Sequence, residues 1–157
     1  MSAVVLNLAR LGDAPAIAKM SREFIESGLP WSWTPRRVAG LLRQRDCLAV
    51  IAKSRRDMIG FVMAQFGNDS VHIALLGVAE GFRRQGVARR LIAWVEESAV
   101  VAGLFQVRLE VRQINRSARR FYASLGYTES GRVANYYSGR EDAIRLSRDL
   151  RSLSCSQ

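Results

Sequence analysis

The stretch FRRQGVARRL, residues 82–91, places two arginines on each side of a single glycine, Gly86. It lies between an apolar run, SVHIALLGVA (70–79), and the most regular amphipathic pattern in the chain, so it reads as the turn of a strand–turn–helix unit. In such a unit the amides from about Gln85 to Arg89 have no carbonyl partner inside the helix and point outward at the positive end of its dipole. That is a place for an anion. Gly86 lets a phosphate approach the backbone, Ala88 leaves the next amide uncrowded, and Arg83 and Arg84 can add charge-assisted hydrogen bonds. A helix that reads nucleic acid would be basic along its length, whereas here Arg89 and Arg90 share the outer face with Glu96 and Glu97. Neither GxxxxGK[ST] nor GxGxxG is present. The stretch fits a cradle for one small polyanion better than a nucleic-acid surface, while a solvated basic turn before a helix stays open on these residues alone.

Outward from this unit the elements follow by periodicity. On the helix after Gly86, Val87, Leu91, Trp94, Val95, Ser98 and Ala102 fall on one side, and Gly103 stops it. FQVRLEVR (105–112) alternates strictly, with Arg108, Glu110 and Arg112 on its polar face. Asn115 caps a short helix with a stripe of Ala118, Phe121, Tyr122 and Leu125, ended by Gly126. Upstream, VVLNLA (4–9) is a strand, and a helix runs from Gly12 and Asp13 to about Ser27. GLPWSWTP (28–35) interrupts it, and Thr34 caps a second helix with Pro35 at its first position. CLAVIAK (47–53) and MIGFVMAQF (58–66) form a hairpin, and YTESGRV and DAIRLSRDL form another across the loop ANYYSGRE. The order β-α-α-β-β-β-α-β-α-β-β implies hairpins plus one parallel pair with a right-handed crossover between 70 and 111. The expectation is an α/β fold of the α+β type: a mixed, mostly antiparallel sheet of about seven strands and about four helices, in one domain over 1–150 with a flexible tail at 151–157.

Composition sets the outer limits. The chain has 157 residues, 48% hydrophobic and 24% charged, enough for one ordinary core. No apolar run approaches the roughly 18–20 residues that span a bilayer, and the start lacks a secretory leader. Cys47 and Cys155 have neither a framework spacing nor metal-ligand partners, so they read as reduced thiols in a cytoplasmic protein that needs no metal. The net charge of +10 and pI of about 10.9 come almost wholly from scattered arginines, since Lys19 and Lys53 are the only lysines. That balance favours anionic partners without requiring nucleic acid, and it gives no reason to expect a membrane.

Three segments together are similar to a known family. Arg83-Arg84-Gln85-Gly86-Val87-Ala88 matches the [QR]-x-x-G-x-[GA] signature of the GCN5-related N-acetyltransferase (GNAT) superfamily. LEVRQINRSARRFYASLGY (109–127) resembles its later strand and Asn-capped helix. YYSGREDAIRL (136–146) resembles the bacterial ribosomal-protein-alanine N-terminal acetyltransferases. The likeness covers about residues 70–148. It implies a GNAT fold with a splayed parallel strand pair, and direct transfer of acetyl from acetyl-CoA to a primary amine, with a protein N-terminus favoured. By the same resemblance the pyrophosphate belongs to Arg83, Arg84, Gln85, Gly86, Val87, Ala88 and Arg89. The pantetheine arm belongs to Leu76, Val78 and Asn115, with the Val78 amide facing the thioester carbonyl. Glu110 matches the family's base and Tyr122 its general acid.

Other readings stay open beside these. Glu110 also reads as a surface carboxylate paired with Arg108 or Arg112, Tyr122 as plain packing, and Asn115 as a cap alone. Gly77 is read as permitting the bulge that splays the parallel strands. His72, the only histidine, reads first as a partly exposed strand residue. Trp31, Trp33, Tyr136 and Tyr137 either line the acceptor site or fill the core. A small-molecule amine acceptor, a nucleic-acid module and an acyl-CoA sensor without turnover are the alternatives. Ala79, where the family commonly has an acidic residue, and the WSW segment depart from its pattern.

Overall fold

The computed structural model describes residues 3–151, so the expected tail lies outside the described residues from 152 on. One seven-stranded sheet organises the chain. In chain order the elements are β1 (Val4–Leu8), α1 (Ala14–Phe24), α2 (Pro35–Leu42), β2 (Cys47–Ser54), β3 (Asp57–Phe66), β4 (Val71–Val78), α3 (Val87–Val101), β5 (Gln106–Arg112), α4 (Arg116–Ser124), β6 (Thr128–Tyr137) and β7 (Glu141–Asp149). The sheet order is β1-β2-β3-β4-β5-β7-β6, and β4–β5 is its one parallel pair among the described residues. No helix among the described residues is long and apolar enough to cross a membrane.

Two apolar layers flank the sheet. Val50, Val62, Val71, Ile73 and Val107 meet Leu91, Ile92 and Val95 of α3 on one face. Ile51, Phe61, Met63 and Leu75 meet Ile17, Ala18 and Val38 of α1 and α2 on the other. The caps fall where side chains can supply acceptors: Thr34 Oγ1 accepts from the Arg37 amide and Asn115 Oδ1 from the Ala118 amide.

Four details differ from the periodic reading. Helix α1 ends at Phe24, three residues early, because Glu26 turns inward and accepts bonds from the Ser32 amide and hydroxyl and the Trp33 amide. The loop at 134–141 is largely strand: β6 runs to Tyr137 and β7 begins at Glu141, with Asn135 and Ser138 at positive φ absorbing the turn. Glu96 is on the buried side of α3, not its outer face. Its carboxylate accepts from Tyr127 at 2.9 Å and from Arg148 at 3.0 and 3.1 Å, which makes its burial tolerable.

The fourth concerns the bulge. Met63 pairs with Leu75 and Ala64 with Ile73, so Ala74, not Gly77, is the extra residue in β4. Gly77 lies opposite Phe61, and a Cβ there would meet the Phe61 ring at 2.9 Å. Gly77 makes room for a fully buried phenylalanine. The Ala74 bulge resets the side-chain alternation, so that Val71 and Ile73 before it and Val78 after it all face α3.

Candidate active site

Strands β4 and β5 pair only at Val71–Val107, His72–Arg108 and Ile73–Leu109, although both continue beyond those residues. Past Ile73 and Leu109 the strands part. The Ala79 amide donates to Ile59 O across β3 at 2.8 Å. Antiparallel alternation then makes Phe61–Gly77 a bonded pair and leaves Val62–Leu76 and Gly60–Val78 with their amides and carbonyls turned away from β3. Leu76 and Val78 therefore present backbone groups to the gap between β4 and β5. The Val78 carbonyl is taken by Arg83 Nε at 3.0 Å, and its amide faces the gap without a partner among the described residues.

The turn into α3 sits at the mouth of that gap. Gly86 caps the helix at φ 80° and Arg84 is also left-handed at φ 62°. The first helical amide to find a carbonyl is that of Arg90, which donates to Gly86 O at 3.0 Å, so the Val87, Ala88 and Arg89 amides lie ahead of it without one among the described residues. A Cβ built on Gly86 meets nothing within 4 Å, so the surface over these donors is open. Gln85 Nε2 donates to Gly81 O. Arg83 packs back toward the strand and α1. Its Nε is held by Val78 and its guanidinium lies 5.4 Å from the Phe24 ring centroid, which ties the turn to α1.

Glu110 stands one residue past the last β4–β5 pair. Its side chain is 5% exposed, and Oε1 lies 2.6 Å from His72 Nε2. Tyr136 Oη donates to Oε1 at 3.2 Å, Arg145 Nε donates to Oε2 at 3.3 Å, and Arg108 Nη1 is 3.8 Å from Oε2. Burial works against the charge, but the bonds from His72, Arg145 and Tyr136 outweigh it and hold the carboxyl below its ordinary range. Arg112, the alternative partner in the strand reading, turns instead to Glu141. From sequence, His72 ranks first as a strand residue and is not paired with Glu110. The signal that could have found it was parity, since the parallel register pairs His72 with Arg108 and puts Glu110, two residues on, on the same polar face.

Tyr122 is buried and T-shaped against Phe121 and Tyr127, with centroids 5.1 and 5.4 Å away. Burial pushes its phenol up, and the neighbouring Tyr137 adds to this, so it stays protonated. No protein group is bonded to its hydroxyl among the described residues. Asn115 Oδ1 is committed to capping, accepting also from Ser117 Oγ at 3.2 Å. The tryptophan faces are covered by arginines: Arg37 lies 3.7 Å from the Trp33 centroid and Arg22 5.1 Å from that of Trp31. Tyr136 is 45% exposed beside Glu110, and its ring meets that of Tyr137 edge-on at 4.9 Å. No three His, Cys, Asp or Glu side chains are grouped to hold a metal among the described residues.

A splayed parallel pair, a left-handed glycine opening α3 and an enclosed carboxylate form one constellation, and the sequence profile of the Acetyltransferase (GNAT) family matches residues 16–127. The chain belongs to the GNAT family. N-alpha-acetyltransferase 20 of Dictyostelium discoideum is 38% identical over 95 residues, 59% of this chain and 54% of that protein. The ribosomal protein bS18-alanine N-acetyltransferase of Escherichia coli is 34% identical over 90 residues, 55% of this chain and 61% of that protein. The chain thus spans little more than half the length of these curated relatives. The crystal structure of the ribosomal-protein-S18-alanine N-acetyltransferase from Escherichia coli superposes with a TM-score of 0.81 at 26% identity, covering 94% of each chain.

GNAT proteins are acetyltransferases, and the family's donor is acetyl-CoA. This chain has groups that fit it: open amides at Val87, Ala88 and Arg89 for a pyrophosphate, and the outward backbone of Leu76 and Val78 for the amides of an extended arm.

Proposed function

We propose that this chain is an acetyl-CoA-dependent N-acetyltransferase whose acceptor is the N-terminal α-amine of a protein, of the kind ribosomal proteins present. The observation that carries the reading is the Glu110 carboxylate, ionised and enclosed at the point where β4 and β5 part, with His72 at 2.6 Å. Bound acetyl-CoA supplies an acetyl group activated as a thioester. The amides of Val87, Ala88 and Arg89, with Arg84 beside them, hold the pyrophosphate, and the backbone of Leu76 and Val78 aligns the pantetheine arm. The Val78 amide hydrogen-bonds the thioester carbonyl oxygen as negative charge develops on it. The amine attacks as the neutral base, and its proton passes to the Glu110–His72 pair. Tyr122, kept neutral by burial, donates a hydrogen bond to the departing sulfur.

The state of Glu110 favours an α-amine over a lysine. Any carboxylate is a weak base beside an amine, so an acceptor that sheds its proton readily suits it. An α-amine with pKa of about 8 is roughly one-tenth neutral at pH 7, and a lysine near 10.4 about a thousandth or less. The names of the relatives point the same way. The test is a screen of peptides with free N-termini, Nα-blocked lysine peptides and small amines, read by release of free CoA. Turnover on free N-termini is the expected result, and turnover confined to lysines or small amines would overturn the reading.

A further inference from the structure

Arg112 closes the motif LEVR, yet it takes no part in the chemistry above. It is the last residue of β5, and its side chain is only 15% exposed. Its three guanidinium nitrogens reach two segments far apart in sequence. Nε and Nη2 donate to the two oxygens of Glu141, at 2.7 and 2.6 Å, in the paired geometry that arginine alone provides. Nη1 donates to the carbonyl of Ser27 at 2.7 Å and to that of Ile25 at 3.4 Å. Ser27 belongs to the segment after α1 that carries Trp31 and Trp33, a segment stiffened from within by Glu26. Glu141 opens β7, directly opposite Tyr137 across the β6–β7 hairpin. Tyr136 of that hairpin is bonded to Glu110.

We infer that Arg112 is a positioning residue that sets acceptor selectivity. It ties the α1–α2 segment to the β6–β7 hairpin, whose Tyr136 is bonded to Glu110, at one fixed separation. This rests on the acetyltransferase reading. Two physical points carry it. The bonds to Ser27 and Ile25 span 85 and 87 residues, so local structure does not supply them. A largely buried guanidinium that satisfies a carboxylate and two carbonyls at once is costly to replace by any side chain lacking the fork. Its guanidinium bonds go to Glu141, Ser27 and Ile25 and none to the α3 turn among the described residues, so its loss is expected to leave acetyl-CoA affinity unchanged.

The test compares wild type with Arg112→Lys, Arg112→Ala and Glu141→Gln on one N-terminal peptide and one Nα-blocked lysine peptide. It is combined with acetyl-CoA titration and backbone hydrogen exchange. Loss of a charge-assisted bridge of this kind should raise the acceptor KM about tenfold or more in Arg112→Ala. The change in kcat should be smaller and the acetyl-CoA affinity unchanged. The preference for the N-terminal peptide should narrow, and exchange should accelerate in both 25–34 and 134–141. Glu141→Gln removes the charge at one end of the bridge, keeps the side chain's shape and lies at a half-buried position, so it should fold and give the smaller KM effect, with faster exchange in the hairpin alone. Lysine, which keeps charge without the fork, should not restore wild-type KM. An active wild type whose acceptor KM and peptide preference are indifferent to Arg112→Ala, or to Glu141→Gln where the alanine variant fails to fold, overturns this inference. A wild type inactive on all amines overturns the acetyltransferase reading instead.

Discussion

His72 Nε2 lies 2.6 Å from Glu110 Oε1, bridging β4 and β5 at the last point where the two strands still run side by side. The pair joins residues 38 apart and puts a carboxylate and an imidazole where backbone pairing stops.

Glu110→Gln keeps the shape of the side chain and removes its charge. Turnover should fall by about a hundredfold, the usual worth of a placed general base. Acetyl-CoA binding, measured by calorimetry, should be unchanged, because the cradle lies on the α3 side of the gap. Turnover equal to wild type would place the base elsewhere.

The same carboxyl makes stability depend on pH. Its folded value lies below the ordinary 4.5, against the pull of burial, because His72, Arg145 and Tyr136 bond its charged form. Its contribution is therefore fully present above the unfolded value and lost as pH falls through the folded one. Thermal melts from pH 7 to pH 3 should show wild type losing its advantage over Glu110→Gln as the pH drops below about 4.5. A gap that stays constant over that range would contradict the assignment.

Tyr122→Phe leaves the ring contacts to Phe121 and Tyr127 intact and removes one hydroxyl. The melting temperature should hold while kcat drops by about a hundredfold. Because burial keeps the phenol protonated, that deficit should be the same from pH 6 to pH 9, checked by a pH–rate profile of both proteins.

Two glycine substitutions should separate folding from binding. Gly77→Ala pushes a Cβ to 2.9 Å from the buried Phe61 ring and should cost about 1–3 kcal/mol of stability, measured by urea unfolding. Gly86→Ala meets no protein atom but sits at φ 80°, so it should cost about 1–2 kcal/mol. It should also weaken acetyl-CoA binding by putting a methyl group over the amides of α3. Equal affinity in both variants would move the pyrophosphate away from this turn.

Arg148→Ala strips the cation from Glu96, which is 7% exposed and whose carboxylate is otherwise bonded, among the described residues, to Tyr127. An unpaired carboxylate in that position should cost about 3–5 kcal/mol. Arg148→Ala with Glu96→Leu should recover much of the loss, as chemical denaturation can show. A single variant as stable as wild type would mean that Glu96 escapes to water.

The sequence by itself determined the element order, the parallel crossover between 70 and 111, and the glycine-capped turn that opens α3 at Gly86. Each of these is written in local pattern: alternation for strands, a 3.6-residue stripe for α3, an asparagine before α4. The tertiary structure decided what depends on register and on meetings between distant segments. A one-residue bulge at Ala74 sets which way Leu76 and Val78 turn their amides, and no local preference announces it. Glu96 looked like a surface acid on α3 because periodicity assigns a face without saying that Arg148 waits there, 52 residues away. His72 and Glu110, and Arg112 with Ser27 and Glu141, are contacts made when strands and loops dock. The energy of such contacts belongs to pairs of side chains, so a linear reading sees the partners but not the pairing.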